Sequence, residues 1–467
     1  MFIGRKYELD KLNRLYDSDR FEFAVIYGRR RVGKSTLIKE FCKDKKSIYY
    51  MGMEAASQSN IDSLSAAIWD FEGRKLPAPS YGSYEALFDY IDTISDERII
   101  LAIDEYPYLA EDYPALSSLL QKHIDMKWND SKLMLILCGS SMSFMENQVL
   151  GYKSPLYGRR TAQFRMEAFR YYELKEFGWN YTEEELALIY GITGGIAEYV
   201  SFINGNCSVK ENILNMYLDQ AGRMFEEPTN LMKQELREPR MYHTILGSIA
   251  SGSSTLNEIA GKARESTASC SYHLNALQAL DIVKKETPAG EKESSRKTIY
   301  RIKDSAFRFW YRFVFPYQTF IVNENGEYVY ENFVKPFLSS FMGTVFEDMC
   351  LSYLMHPNTL QKIPFPYSVA GRWWGNNPSE KRQEEIDICA LGADAVLLCE
   401  CKWRNEPVKL PVLENLQRQG GLFPQNQKYF WLFSKSDFSD SVKEANRSCS
   451  DIRCITLAEM YKIDWWN

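Results

Sequence analysis

Residues 28–35 constrain this chain more than any other stretch. They read Gly-Arg-Arg-Arg-Val-Gly-Lys-Ser, a G-x-x-x-x-G-K-S spacing set between two segments of different periodicity. Phe23, Ala24, Val25 and Ile26 form the short apolar run of a strand buried on both faces, and Leu37, Ile38 and Phe41 then recur at helical spacing. Strand, glycine loop and helix in that order create a concavity of backbone N–H groups closed by the positive end of a helix, an arrangement that suits nucleotide phosphates. Within it Lys34 is the expected cation for the β- and γ-phosphates and Ser35 the expected Mg²⁺ ligand. Gly28, Arg29, Arg30, Arg31, Val32, Gly33 and Thr36 complete the expected cradle for a nucleotide.

A phosphate-binding P-loop (Walker A) that serves hydrolysis needs a second site. Residues 98–105, Arg-Ile-Ile-Leu-Ala-Ile-Asp-Glu, supply one as an apolar strand ending in two carboxylates. Asp104 is expected to hold Mg²⁺ through water, and Glu105 to polarise the attacking water. Apolar runs at Ser47–Met51, Leu133–Cys138 and Ala162–Met166 alternate with helical patterns at 60–72, Tyr84–Ile94 and Leu116–Ile124. Such alternation predicts an α/β fold with a mostly parallel sheet and ligands at the carboxyl ends of its strands. Ser140, just beyond one strand, is then expected near the phosphates. Arg159 and Arg160, before the last strand, are candidates for an arginine finger, with Arg29, Arg30 and Arg31 as rivals.

At 467 residues the chain exceeds what a single core supports, so several domains are expected. Its net charge of −6 excludes a global basic field, so any DNA contact requires a local patch. The ten cysteines include no C-x-x-C pair, which argues against a zinc framework and for reduced thiols. No run approaches the roughly 18 apolar residues of a membrane span, and no apolar signal segment stands at Met1–Arg5. A cytoplasmic location without membrane contact is the expectation.

From Ile3 to about Phe225 the chain resembles the prokaryotic and archaeal-type P-loop ATPases of AAA+ and STAND character. The resemblance rests on Ile3-Gly4-Arg5 with Glu8-Leu9, the 28–35 loop, Ile103-Asp104-Glu105, Gly139-Ser140-Ser141, Leu156-Tyr157-Gly158-Arg159-Arg160 and Thr193-Gly194-Gly195-Ile196. The chain departs from the pattern at Ala197, where the family usually carries proline. The resemblance implies that the backbone of Ile3 and Gly4 lies against the adenine, that Ser140 acts as a polar sensor, and that the nucleotide is ATP. It also implies a P-loop ATPase core at 1–167 and a helical lid at 168–235.

Residues 236–303 read as a winged helix. Thr255 and Glu258 have capping-box spacing, a second helix carries Leu274, Leu277 and Leu280, and 282–285 with 298–301 suggest a hairpin. A DNA reader of this kind would expose Ser269, Ser271, Tyr272 and Asn275 to the major groove. Nine Lys/Arg oppose six Asp/Glu across 240–302, a modest surplus lying mostly in the hairpin, so a protein-packing module is the competing reading. A connector at 304–340 is aromatic-rich and continues the family resemblance through Asp304 and Arg308-Phe309-Trp310.

Residues 341–467 resemble the restriction-endonuclease-like PD-(D/E)xK fold, through Asp387, Glu400-x-Lys402 and the helical acid Glu347. Strand alternation puts Glu400 and Lys402 on one face. The resemblance implies that Glu347, Asp387 and Glu400 hold Mg²⁺ and that Lys402 orients water or offsets developing charge. The expected function is ATP hydrolysis coupled to DNA binding or processing. Its alternative is a nucleotide-gated regulatory switch whose C-terminal domains bind protein and cut nothing. A homo-oligomer or a protein partner is compatible with either.

Overall fold

The computed structural model describes residues 2–74, 79–236, 238–292, 294–295, 297–378 and 380–462. It divides into two compact units, Met1–Phe169 with Ile196–Glu198, and Arg170–Gly195 with Tyr199–Asn467.

The first unit is built on five parallel strands: β1 (Glu22–Tyr27), β2 (Ser47–Met51), β3 (Ile100–Asp104), β4 (Met134–Gly139) and β5 (Ala162–Arg165). Their order is β2-β3-β4-β1-β5. Every residue of β1, β3 and β4 is buried, as a central parallel strand covered by helices on both faces requires. The edge strands β2 and β5 alternate instead. Because β4 lies between β1 and β3, the loop after β1, the carboxylates ending β3 and the turn leaving β4 emerge side by side. An α/β fold with a P-loop on a parallel sheet is therefore observed.

The second unit begins with helices, among them Glu183–Thr193 and Val209–Tyr217, each opened by a capping box. Three helices, Pro239–Ala250, Leu256–Ala263 and Thr267–Ala279, precede an antiparallel hairpin of β6 (Val283–Glu286) and β7 (Ile299–Ile302). The Thr255–Glu258 capping box forms, with the Thr255 N–H donating to the Glu258 carboxylate at 2.9 Å. Asp304 caps the aromatic helix Ser305–Phe313, whose Phe307, Phe309 and Trp310 are fully buried. The aromatic run is core.

A separate five-stranded sheet follows, from β8 (Val369–Asn377), β9 (Arg382–Leu391), β10 (Ala395–Lys402), β11 (Gln427–Ser434) and β12 (Ile452–Thr456), ordered β12-β11-β10-β9-β8. β8, β9 and β10 form an antiparallel meander, whereas β10, β11 and β12 run parallel through crossover helices Leu410–Gln419 and Asp440–Ser448. The twenty-residue helix Lys335–Leu354 precedes this sheet. Asp387 lies in the middle of β9. All ten cysteines are free. Among the described residues no helix is long and apolar enough to cross a membrane.

Candidate functional site

The loop after β1 bends through Gly28 (φ 152°), Arg31 (φ 72°) and Gly33 (φ 93°), the last being the cap of helix Lys34–Cys42. A Cβ at Gly28 would stand 2.3 Å from the Met166 carbonyl oxygen, so only glycine passes there. The Lys34 side chain folds back, donating to the carbonyls of Gly28 and Arg29 at 2.9 Å each. Burial pulls its pKa down from the ordinary lysine value, opposed by Cys138, Glu105 and Asp104.

The loop is braced from both sides. Arg5 is buried and donates to the carbonyls of Val32 at 3.0 Å and Glu167 at 2.5 Å. Arg30 donates to the Tyr108 hydroxyl at 3.0 Å, and Arg31 pairs with Glu198 at 3.8 Å while its carbonyl accepts from the Glu198 N–H. Ile3 and Gly4 are half-buried just ahead of Arg5, and Thr36 is exposed.

Asp104, at the end of β3, is fully buried and accepts from the Tyr49 hydroxyl at 2.8 Å and the Glu105 N–H at 3.0 Å. Glu105 adopts a left-handed conformation (φ 50°). Its carboxylate accepts from the Ser140 N–H at 3.1 Å and the Ser140 hydroxyl at 2.9 Å. Lys34, Ser35, Asp104, Glu105 and Ser140 thus gather at the carboxyl ends of β1, β3 and β4. The donor set suits a magnesium–nucleotide complex: glycine-lined N–H groups, one buried ammonium, two serine hydroxyls and two carboxylates.

The finger candidates are placed differently. Arg159 is clamped by Asp125, donating from Nε to Oδ1 at 2.7 Å, and also donates to the Pro155 and Tyr157 carbonyls. Arg160 lies near Tyr27. No sequence motif assigns Tyr49 or Tyr108 a role, and Arg5 enters only as part of the Ile3-Gly4-Arg5 pattern, because what these side chains do depends on partners far away in the chain.

A second polar centre lies in the second unit. The Asp387 carboxylate accepts from the Cys401 N–H at 2.8 Å, and Lys402 pairs with Glu400 on the same face of β10. Cys399 and Cys401 fill the opposite, buried face. Glu347, on helix Lys335–Leu354, is engaged by Arg372 at 3.4 Å and Arg301 at 3.9 Å. Burial raises the Glu347 pKa to about 7, with Asp387 adding to the rise, and burial with Glu400 raises that of Asp387 to about 6. Against its own desolvation, Glu400 holds the Lys402 ammonium above its ordinary value. The four side chains are neighbours, although oxygens of Glu347, Asp387 and Glu400 do not all lie within 4.8 Å of one another. The group among the described residues that does meet that spacing is Asp89, Asp92 and His123, where Asp92 also accepts from Trp128.

Four basic residues in and beside the hairpin are already paired. Lys284 meets Glu286 and Asp348, Arg301 meets Glu286 and Glu347, Lys297 meets Glu291, and Lys303 meets Asp281.

Residues 2–203 match the family described as an ATPase domain predominantly from Archaea, and residues 310–416 match one described as archaeal and bacterial proteins of unknown function. Among solved structures, the ORC2 protein of Aeropyrum pernix in ADPNP and ADP complexes is similar at TM-score 0.42 and 16% identity, covering 70% of this chain and 94% of its own. RuvB of Thermotoga maritima is similar at TM-score 0.36 and 15% identity, over 66% of this chain and 94% of its own. An uncharacterized ATP-binding protein of Methanocaldococcus jannaschii is 48% identical over 46 residues, 10% of this chain and 78% of its own. A longer uncharacterized protein of that organism is 34% identical over 414 residues, covering 87% of this chain and 88% of its own. With a likeness of that length and the matched region containing every residue of the loop and the β3 carboxylates, the chain belongs to the family of this Methanocaldococcus protein and carries an ATPase domain of the kind predominantly found in Archaea.

Proposed function

We propose that this protein binds and hydrolyses ATP with Mg²⁺ in its first unit and couples nucleotide state to DNA binding or processing by its second. The observation that carries the hydrolytic reading is the hold of Ser140 on the Glu105 carboxylate, beside Asp104 and Lys34. Bound Mg²⁺ would neutralise charge on the phosphates. The chain's own residues do the rest. Lys34 would exchange the Gly28 and Arg29 carbonyls for phosphate oxygens, Ser35 and, through water, Asp104 would hold the metal, and Glu105 would orient the attacking water while sharing its carboxylate with Ser140. Ile3 and Gly4 face the base, and an arginine finger comes from Arg159, Arg160 or the loop arginines. Arg159 must leave Asp125 to serve.

In this reading the three helices and hairpin at 236–303 are a winged helix, 168–235 a lid, 304–340 a connector and 341–467 a restriction-endonuclease-like domain. The antiparallel meander followed by parallel crossovers, with Asp387, Glu400, Lys402 and Glu347 adjacent, supports the last of these. Glu347, Asp387 and Glu400 would hold Mg²⁺ there and Lys402 would orient water. A separate cavity of about 950 Å³, lined by Lys233, Arg240, Lys262 and Arg312 around His243 and Phe315, supplies a local basic and aromatic surface for nucleic acid.

The experiment is Mg²⁺-dependent ATP turnover by wild type, Lys34→Ala and Glu105→Gln, with and without DNA. Turnover that DNA stimulates and both variants lose supports the reading; a protein that binds ATP but never turns it over overturns its hydrolytic half. The internal pairing of Lys284 and Arg301 favours a second reading, a nucleotide-gated switch whose C-terminal domains bind protein. DNA nicking abolished by Asp387→Ala would sink that one.

A further inference from the structure

Tyr49 has no part in the phosphate chemistry the motifs describe, yet it is among the polar groups nearest to it. It sits on β2, paired in register with Ala102 of β3, two residues before Asp104. Its hydroxyl donates to Asp104 Oδ2 at 2.8 Å and has the Ser35 hydroxyl as a second polar neighbour. Lys39, one turn into the P-loop helix, places its ammonium 5.4 Å from the centre of the same ring. One phenol therefore touches both residues that would hold the metal, from a strand that contributes neither.

The Asp104 carboxylate is fixed at both oxygens. Oδ1 accepts from the Glu105 N–H and Oδ2 from Tyr49. The Cys138 thiol is a further hydrogen-bonding neighbour of this buried carboxylate, so loss of the Tyr49 hydroxyl removes the phenolic donor to Oδ2 and loosens the carboxylate's orientation without leaving it unbonded. Groups that hydrogen-bond a metal ligand set its orientation, and their removal weakens metal affinity by roughly 10–100-fold.

We propose that Tyr49 is a positioning residue for the metal half of the nucleotide site, orienting Asp104 toward the ion shared with Ser35. The proposal rests on the nucleotide reading of the loop. It assigns Tyr49 no contact with the base or the phosphates, so metal-free nucleotide affinity does not depend on it.

The test is fluorescence titration of mant-ATP against wild type, Tyr49→Phe, Asp104→Asn and the double variant, first in EDTA and then with rising Mg²⁺. Tyr49→Phe should bind mant-ATP in EDTA within about twofold of wild type, while its Mg²⁺ half-saturation point rises about tenfold. In the Asp104→Asn background the Tyr49→Phe change should add nothing further, since the two act through one carboxylate. An unchanged or lower Mg²⁺ requirement in Tyr49→Phe overturns the proposal, as does an equal loss of affinity in EDTA. A Tyr49→Phe chain that fails to fold overturns it too, because only the hydroxyl is removed and the role is then structural. If wild type itself binds mant-ATP without any response to Mg²⁺, the failure belongs to the nucleotide reading instead.

Discussion

At the scale of single residues, the site is held by polar contacts that one atom can break. Lys34 rests on two loop carbonyls, so its ammonium is already placed in the concavity and needs only to exchange acceptors. Ser140 restrains Glu105 through its N–H and its hydroxyl, and only the second is lost in Ser140→Ala. Under the proposed hydrolysis, that variant is expected to lower kcat by about tenfold with KM nearly unchanged, read by steady-state ATPase kinetics, since the hydroxyl contacts the proposed base Glu105. A matched rise in KM would instead place Ser140 on the phosphates. Arg5→Ala leaves two carbonyls without their charged donor and should destabilise the first unit by about 2–3 kcal/mol in chemical denaturation. The Ile3-Gly4-Arg5 pattern is legible in the sequence; that its arginine reaches Val32 and Glu167 is a matter of tertiary distance.

At the scale of elements, strand order explains why three separate motifs share one site. β4 lies between β1 and β3, so Ser140 emerges between the loop and Glu105. The periodicity of β1, β3 and β4 was legible because all three are apolar runs, and β2 was read with its observed bounds. Order across the sheet was not, since nothing in a buried strand's sequence names its neighbour. Leu135, fully buried on β4 between the two, is a direct probe of this packing. Leu135→Ala is expected to cost about 2–5 kcal/mol of unfolding free energy. Gly28→Ala is expected to abolish nucleotide binding while the remainder of the sheet stays folded, because the Met166 carbonyl blocks the new methyl. Circular dichroism alongside mant-ATP binding separates the two effects.

At the scale of the whole molecule, two polar centres with different electrostatics belong to one chain of net charge −6. The proposed nucleotide site has an ammonium among carboxylates, whereas the second centre has carboxyl groups pushed up to about 7 at Glu347 and about 6 at Asp387, chiefly by burial. A carboxyl whose folded pKa is raised binds its proton more tightly folded than unfolded. Stability then falls as pH rises from the ordinary carboxylate range through the raised values, and it is recovered on acidification. Metal-free protein should therefore melt at a lower temperature at pH 8 than at pH 6. Glu347→Gln should flatten that slope and stabilise the pH 8 form by on the order of 2 kcal/mol. Mg²⁺ at pH 8 should raise the melting temperature of wild type and not of Asp387→Asn if this centre holds the ion. For nucleic acid, Arg240→Ala with Arg312→Ala should reduce the slope of log affinity against log salt by about 1.5, whereas Lys284→Ala should leave it alone, since Asp348 already neutralises that lysine.

By itself the sequence determined the chemistry of each local segment: the glycine loop and its lysine, the carboxylate pair ending an apolar strand, and the alternation that puts Glu400 and Lys402 on one face. These are set by residues close together in the chain, where steric and periodic rules act directly. Only the tertiary structure decided the company these residues keep. Tyr49 on Asp104, Ser140 on Glu105, Asp125 on Arg159, and Arg301 and Arg372 on Glu347 all join residues far apart in the chain. Their meeting depends on sheet order, register and helix placement, which are fixed by the packing of the entire core and not by any motif.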